Sequence, residues 1–219
     1  MNILGISAGF HDAAATVINQ QGDILYAGHS ERYSKIKNDA NFCRPLIREL
    51  ELYNPIGTVA YYERPLSKQL RQLYSGQGFE WTKLSVKKLV HDQIGHARWQ
   101  DIKHYKNFNH HLSHAAAGFQ TSVYDRATVV VIDAIGEWDT ISIWGAEYID
   151  GKTKYTKLWG QKYPHSIGLF YSAMTERVGL KPNEEEYILM GMAAYGTRFL
   201  SDLFKTHFLS NEWEIKFKE

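Results

Sequence analysis

Cysteine is nearly absent. The lone Cys43 excludes an internal disulfide framework and fits a reducing cytoplasm, the expected location. An excess of either charge is also missing, with 25 Lys plus Arg against 24 Asp plus Glu. That balance gives no reason to expect nucleic acid or an acidic membrane surface as a partner. No apolar run approaches the roughly 18 residues of a membrane span. The expectation at the N-terminus is a strand, not a charged then apolar signal segment. Internal repeats, low-complexity runs and flexible linkers are lacking as well. What is present is ordinary for a globular protein: 44% apolar and 22% charged residues in 219. That length suffices for one substantial core or two small lobes.

Periodicity predicts an α/β chain. Asn2 to Ala8, Ala13 to Asn19 and Ile24 to His29 read as three strands of a meander, with a turn at Gln20-Gln21-Gly22-Asp23. Leu46, Ile47, Leu50 and Tyr53 have helical spacing within Phe42 to Tyr53. Pro55 ends that helix, and Thr58 to Tyr62 follows as a strand. The stretch from Arg64 to Tyr105 reads as helical surface without assignable chemistry. Further on, Ala127 to Asp133 and Thr140 to Tyr148 are strands, and Asp150-Gly151 turns the chain into Lys154 to Trp159. Ser166 to Val178 is a helix, and the alternation in Trp213 to Lys218 predicts a closing strand.

The most informative segment is Asn109-His110-His111-Leu112-Ser113-His114-Ala115-Ala116-Ala117, which opens a helix. Residues four apart share a helix face, so His110 and His114 can turn two imidazoles toward one ion. His111, three before His114, is the competing partner, and a buried or surface cluster without metal is the plainer alternative. Two imidazoles do not complete a site, so a carboxylate or other donors must come from elsewhere.

Three other segments have chemical potential. Gly5-Ile6-Ser7-Ala8-Gly9-Phe10-His11-Asp12-Ala13 runs a strand into a small-residue corner carrying an imidazole and an acid. Val129 to Asp133, followed by Ala134-Ile135-Gly136-Glu137-Trp138-Asp139-Thr140, repeats that architecture. Ordinary turn chemistry would also explain an Asp at each corner. In Met190-Gly191-Met192-Ala193-Ala194-Tyr195-Gly196, two glycines permit close packing against a ligand or another backbone.

Taken together, these motifs occur in one order. Between and after them come Ser30-Glu31-Arg32-Tyr33-Ser34-Lys35-Ile36-Lys37 and Pro164-His165-Ser166-Ile167-Gly168-Leu169-Phe170-Tyr171-Ser172. The set spans residues 3 to 196 and resembles the O-carbamoyltransferases of antibiotic and nodulation-factor biosynthesis. The resemblance implies an actin-like, ribonuclease-H-like ATPase superfold, with a mixed sheet and flanking helices. Residues 1–219 would then be a partial N-terminal carbamoyl-transfer domain: the first lobe plus the start of the second. The rest of the second lobe and the C-terminal carbamoyladenylate-forming domain would lie in a downstream or separate polypeptide.

The same resemblance implies the chemistry. ATP and carbamoyl phosphate yield carbamoyladenylate, whose carbamoyl group moves to the hydroxyl of a small-molecule acceptor. His110 and His114 match the family's ligands for iron or a similar divalent ion, and the remaining Asp ligand is expected beyond residue 219. His11 and Asp12 are candidates for holding and deprotonating the acceptor. Arg32, Lys35, Asp133, Gly136, Glu137 and Gly191 are candidates for nucleotide or carbamoyl binding, with backbone N–H groups around Gly136 as an oxyanion cradle. Several positions depart from the family pattern. Ala134 replaces a Gly, Glu185 and Ile188 replace a Gly and a Lys, and Ala194 replaces a Pro. If position 134 required positive φ, Ala would cost about 1 kcal/mol there. Two further readings stand beside the transferase: a non-catalytic nucleotide- or metal-binding module, and a metal-dependent hydrolase.

Overall fold

The computed structural model describes residues 1–95, 99, 101–198 and 200–209. It divides into two units, Met1–Ser113 and a second beginning at His114. Among the described residues no helix is long and apolar enough to cross a membrane.

In the first unit, β1 (Asn2–Ser7), β2 (Ala14–Ile18) and β3 (Ile24–His29) form the expected antiparallel meander. On the other side of β1, β4 (Ile56–Tyr61) pairs parallel with it, and β5 (His104–Asn107) pairs parallel with β4. The order is therefore β3-β2-β1-β4-β5, a mixed sheet with helices beside it. Leu4 and Ile6, Ala15 and Val17, and Val59 and Tyr61 alternate into the core, where Ile56, Leu46, Leu50 and Val90 join them. Leu46 and Leu50 belong to α2 (Arg44–Glu51), which starts two residues later than its apolar spacing suggests because Pro45 sits in its first turn. Burying their faces removes this apolar surface from water, at about 25 cal/mol per Å².

The segment after β4 differs from expectation. It forms α3 (Pro65–Tyr74), a 3₁₀ turn at Trp81–Lys83 and α4 (Val86–Ile94). It is not merely surface: Gln69, Arg71, Val86, Val90 and Ile94 are buried. The short strand β5 was not anticipated. His104-Tyr105-Lys106-Asn107 lacks apolar alternation and is a strand because β4 offers it a hydrogen-bonding edge.

The helix α5 (His110–Gln120) runs through the boundary between the units. Its start is capped by Asn109, whose Oδ1 accepts the Leu112 N–H at 3.0 Å. In the second unit, β6 (Arg126–Ile132), β7 (Asp139–Ile149) and β8 (Lys152–Lys162) form an antiparallel sheet in that order. Asp150 and Gly151 both have positive φ, 50° and 72°, as a two-residue turn matching strand twist requires. β8 extends well past the expected Lys154 to Trp159. The helices α6 (Ile167–Arg177), α7 (Glu186–Ala193) and α8 (Ser201–Phe208) follow. The strand expected over 213–218 lies outside the described residues.

Candidate functional site

On α5 the histidines separate into two rows. His111, Ala115 and Phe119, spaced four apart, form a buried stripe at 0%, 0% and 1% exposure. That burial makes His111 part of the packed face of the helix. His110 and His114 occupy the adjacent row, with ligand atoms within 4.8 Å of each other. His110 is mostly buried and His114 is half exposed.

Each of these histidines has a carboxylate neighbour in its own unit. His110 Nδ1 is 3.8 Å from Glu63 Oε2, and the His110 ring meets Tyr62 edge-on at 5.4 Å. Glu63 is buried, and its other oxygen accepts a 2.7 Å bond from Lys68 Nζ. Burial pushes the Glu63 carboxyl up, but His110 and Lys68 outweigh it and hold the group below the ordinary carboxylate value. A carboxylate on one side of the ring is the kind of neighbour that orients a ligating imidazole. Sequence reading missed Glu63, because its neighbour is 47 positions away and Glu63 sits in no motif.

In the second unit, His114 Nε2 lies 4.0 Å from Asp133 Oδ2. Asp133 follows β6, and its Oδ1 accepts the Ala134 N–H at 2.7 Å. The corner is clamped by the start of α6. Ser166 Oγ donates to Ala134 O at 2.6 Å and accepts the Leu169 N–H at 3.1 Å, so one hydroxyl holds the corner and caps the helix. Gly168 packs so closely that a Cβ there would lie 2.5 Å from Ala134 Cα. Ala134 is not among the residues of positive φ, so its replacement of Gly carries no left-handed penalty.

Of the backbone N–H groups around Gly136 expected as an oxyanion cradle, that of Gly136 itself has a partner within the turn. The Gly136 N–H donates to Asp139 O at 2.9 Å, closing the turn, and is therefore already committed. Glu137 is buried at 5% exposure. Gly191 lies on an exposed part of α7, and a Cβ there would meet nothing within 4 Å. Steric need among the described residues therefore does not explain that glycine.

The first corner is well built. The Gly9 N–H donates to Ala40 O at 2.8 Å, the Ala13 N–H to Asp39 O at 2.7 Å, and the Ser30 N–H to Ala13 O at 2.7 Å. Within this frame Asp12 has φ of 50°, a left-handed conformation that Asp tolerates better than most residues. His11 Nδ1 and Asp12 Oδ2 are hydrogen bonded at 2.8 Å, and both side chains are open to solvent. The basic candidates lie on and just after α1 (Ser30–Ser34). Lys35 is its left-handed C-cap at φ 60°, and its Nζ donates back to Arg32 O at 2.7 Å. Arg32 is exposed, beside a surface hollow also lined by His29 and Tyr33.

Comparison with known proteins adds the following. A protein of Synechocystis sp., sll1178, is 34% identical over 92% of this chain, which spans 36% of that protein. Nodulation protein NolNO of Sinorhizobium fredii is 26% identical over 85% of this chain, which spans 28% of it. Among solved structures, the Lmo2764 protein of Listeria monocytogenes covers 94% of this chain and 74% of its own, at 13% identity and a TM-score of 0.40. The chain thus spans about a third of the length of these curated relatives. Residues 56–207, which hold β4, His110 and His114 of α5, the Asp133 corner and α7, match the model described as carbamoyltransferase N-terminus, and the chain belongs to that family.

Proposed function

We propose that the chain is the N-terminal portion of an O-carbamoyltransferase, working with further domains on the same or a separate polypeptide. The supporting observation is the family match over residues 56–207, within which His110 and His114 share a helix face. In the proposed reaction the acceptor oxygen forms a bond to the carbamoyl carbon of carbamoyladenylate. The bond from that carbon to phosphate oxygen breaks, AMP leaves, and the hydroxyl proton passes to the His11–Asp12 pair. An alcohol is a poor nucleophile until a base takes its proton, and this pair is joined and open to solvent.

His110 and His114 are the residues we assign to a divalent ion, iron on the resemblance, and Asp133 is the carboxylate beside His114. Two imidazoles from successive turns plus a carboxylate suit such an ion, and Glu63 stands where an outer carboxylate orients His110. When bound, the ion supplies positive charge against the departing phosphate. Arg32 and Lys35 are assigned to the donor's anionic side.

The test supplies ATP, carbamoyl phosphate, the chain and its partner polypeptide, then asks by mass spectrometry which hydroxyl gains a carbamoyl group. Carbamoylation that requires this chain supports the reading. Turnover of ATP and carbamoyl phosphate with no carbamoylated product from any of a panel of sugars, aminoglycosides and nucleosides would overturn it. Metal-dependent hydrolysis by the chain alone would move the assignment to the hydrolase.

A further inference from the structure

A second set of ligand-type side chains gathers at the first corner, well apart in sequence from the α5 histidines. The β2–β3 register pairs Ala14 with His29, so the end of β3 stands beside the chain leaving Asp12. Glu31 follows in the first turn of α1. One ligand atom from each of Asp12, His29 and Glu31 lies within 4.8 Å of the others.

The spacings differ in a chemically meaningful way. His29 Nε2 is 3.5 Å from Asp12 Oδ1, longer than the roughly 2.7–2.9 Å of a charge-assisted hydrogen bond. Two donors about 2.1 Å from a common ion, at angles between octahedral and tetrahedral, lie about 3.0–3.4 Å apart. His11 Nδ1, by contrast, sits at 2.8 Å from Asp12 Oδ2. That is hydrogen-bonding distance, so His11 steadies one carboxylate oxygen while the other faces His29. Glu31 is held as well: its Oε2 accepts the Asn38 N–H at 3.2 Å. Lys37 Nζ lies 3.5 Å from Glu31 Oε1 and is 66% exposed, on a flexible stem that an ion can displace. The three side chains are 42%, 32% and 22% exposed, open enough for an ion to enter from solvent.

We propose that Asp12, His29 and Glu31 form a second divalent-cation site, distinct from the one assigned to His110 and His114. Two carboxylates and one imidazole favour an ion of the Mn²⁺ or Fe²⁺ type over the soft, thiolate-seeking metals. Three protein ligands leave coordination positions for water or a hydroxyl. Next to Asp12, such an ion makes a coordinated alcohol easier to deprotonate. This last role rests on the proposed transferase reading, whereas the binding site itself does not.

The experiment is Mn²⁺ titration of the whole chain by calorimetry and EPR, in three forms: unaltered, His110→Ala with His114→Ala, and His29→Ala with Glu31→Gln. Circular dichroism checks that each folds. The expected result is two equivalents for the unaltered chain and one for each double variant. His29→Asn alone, a milder change at the same place, is expected to weaken the second equivalent at least about tenfold. A single equivalent that disappears with His110→Ala and His114→Ala, and survives His29→Ala with Glu31→Gln, overturns this inference and leaves the proposed function standing. A single equivalent lost only with His29→Ala and Glu31→Gln supports it, and counts instead against the metal assigned to α5. No Mn²⁺ binding to the unaltered chain overturns it.

Discussion

Glu63 allows the sharpest test, because its two oxygens do different work. One accepts from Lys68 Nζ at 2.7 Å and the other faces His110 Nδ1 at 3.8 Å, with the Glu63 side chain 7% and the Lys68 side chain 20% exposed. Removing one partner of a buried ion pair costs about 3–5 kcal/mol. Lys68 retains some solvent, so Glu63→Ala is expected to cost about 2–3 kcal/mol by urea denaturation. Glu63→Gln keeps a hydrogen-bonding oxygen and is expected to cost about 1–2 kcal/mol. Both variants are expected to weaken metal binding about 10–100-fold through loss of the outer carboxylate. The pH dependence has a definite sign. A carboxyl whose folded pKa is depressed binds fewer protons folded than unfolded, so its stabilisation is present above the unfolded value near 4.5. That stabilisation is lost as pH falls through the lowered folded value, and Glu63→Gln should flatten this acid limb. Adding Lys68→Met to Glu63→Gln is expected to recover stability but not metal affinity. If Glu63→Ala matches the unaltered chain in both denaturation and metal titration, the reasoning fails.

His110→Ala and His114→Ala are each expected to abolish tight binding at the α5 site, whereas His104→Ala, an exposed change on β5, leaves it intact; elemental analysis of the three decides this. Gly168→Ala forces a Cβ to within 2.5 Å of Ala134 Cα. It is expected to cost about 1–3 kcal/mol in thermal denaturation and to weaken metal binding by shifting Asp133. Gly191→Ala meets nothing within 4 Å and lies within α7, so it is expected to gain up to about 1 kcal/mol. A large loss would show that the glycine faces something beyond the described residues. Ser166→Ala removes both the α6 cap and the bond to Ala134 O. A cost of about 1–2 kcal/mol is expected, and an unchanged melting temperature would refute the clamp.

How much of this was legible beforehand depended on the range of the signal. The β1–β3 meander, the Asp150-Gly151 turn and the α5 histidine row were readable because period and turn chemistry act between near neighbours. The strand β5 was not, since its four residues carry little pattern of their own and take their conformation from the edge of β4. The roles of Glu63 and Gly168 were also hidden, because each is defined by a contact made across many positions.

The amino-acid order by itself settled the motif set, and with it the family and the row of α5 that carries His110 and His114. Only the folded chain decided which of three histidines is spent on the core, which carboxylate lies near each remaining imidazole, and that the Gly136 N–H is already bonded. Helical periodicity is a local property that sequence spacing encodes directly. Burial and carboxylate–imidazole proximity arise from chain segments that meet only after the backbone has closed its sheets, and no local pattern records them.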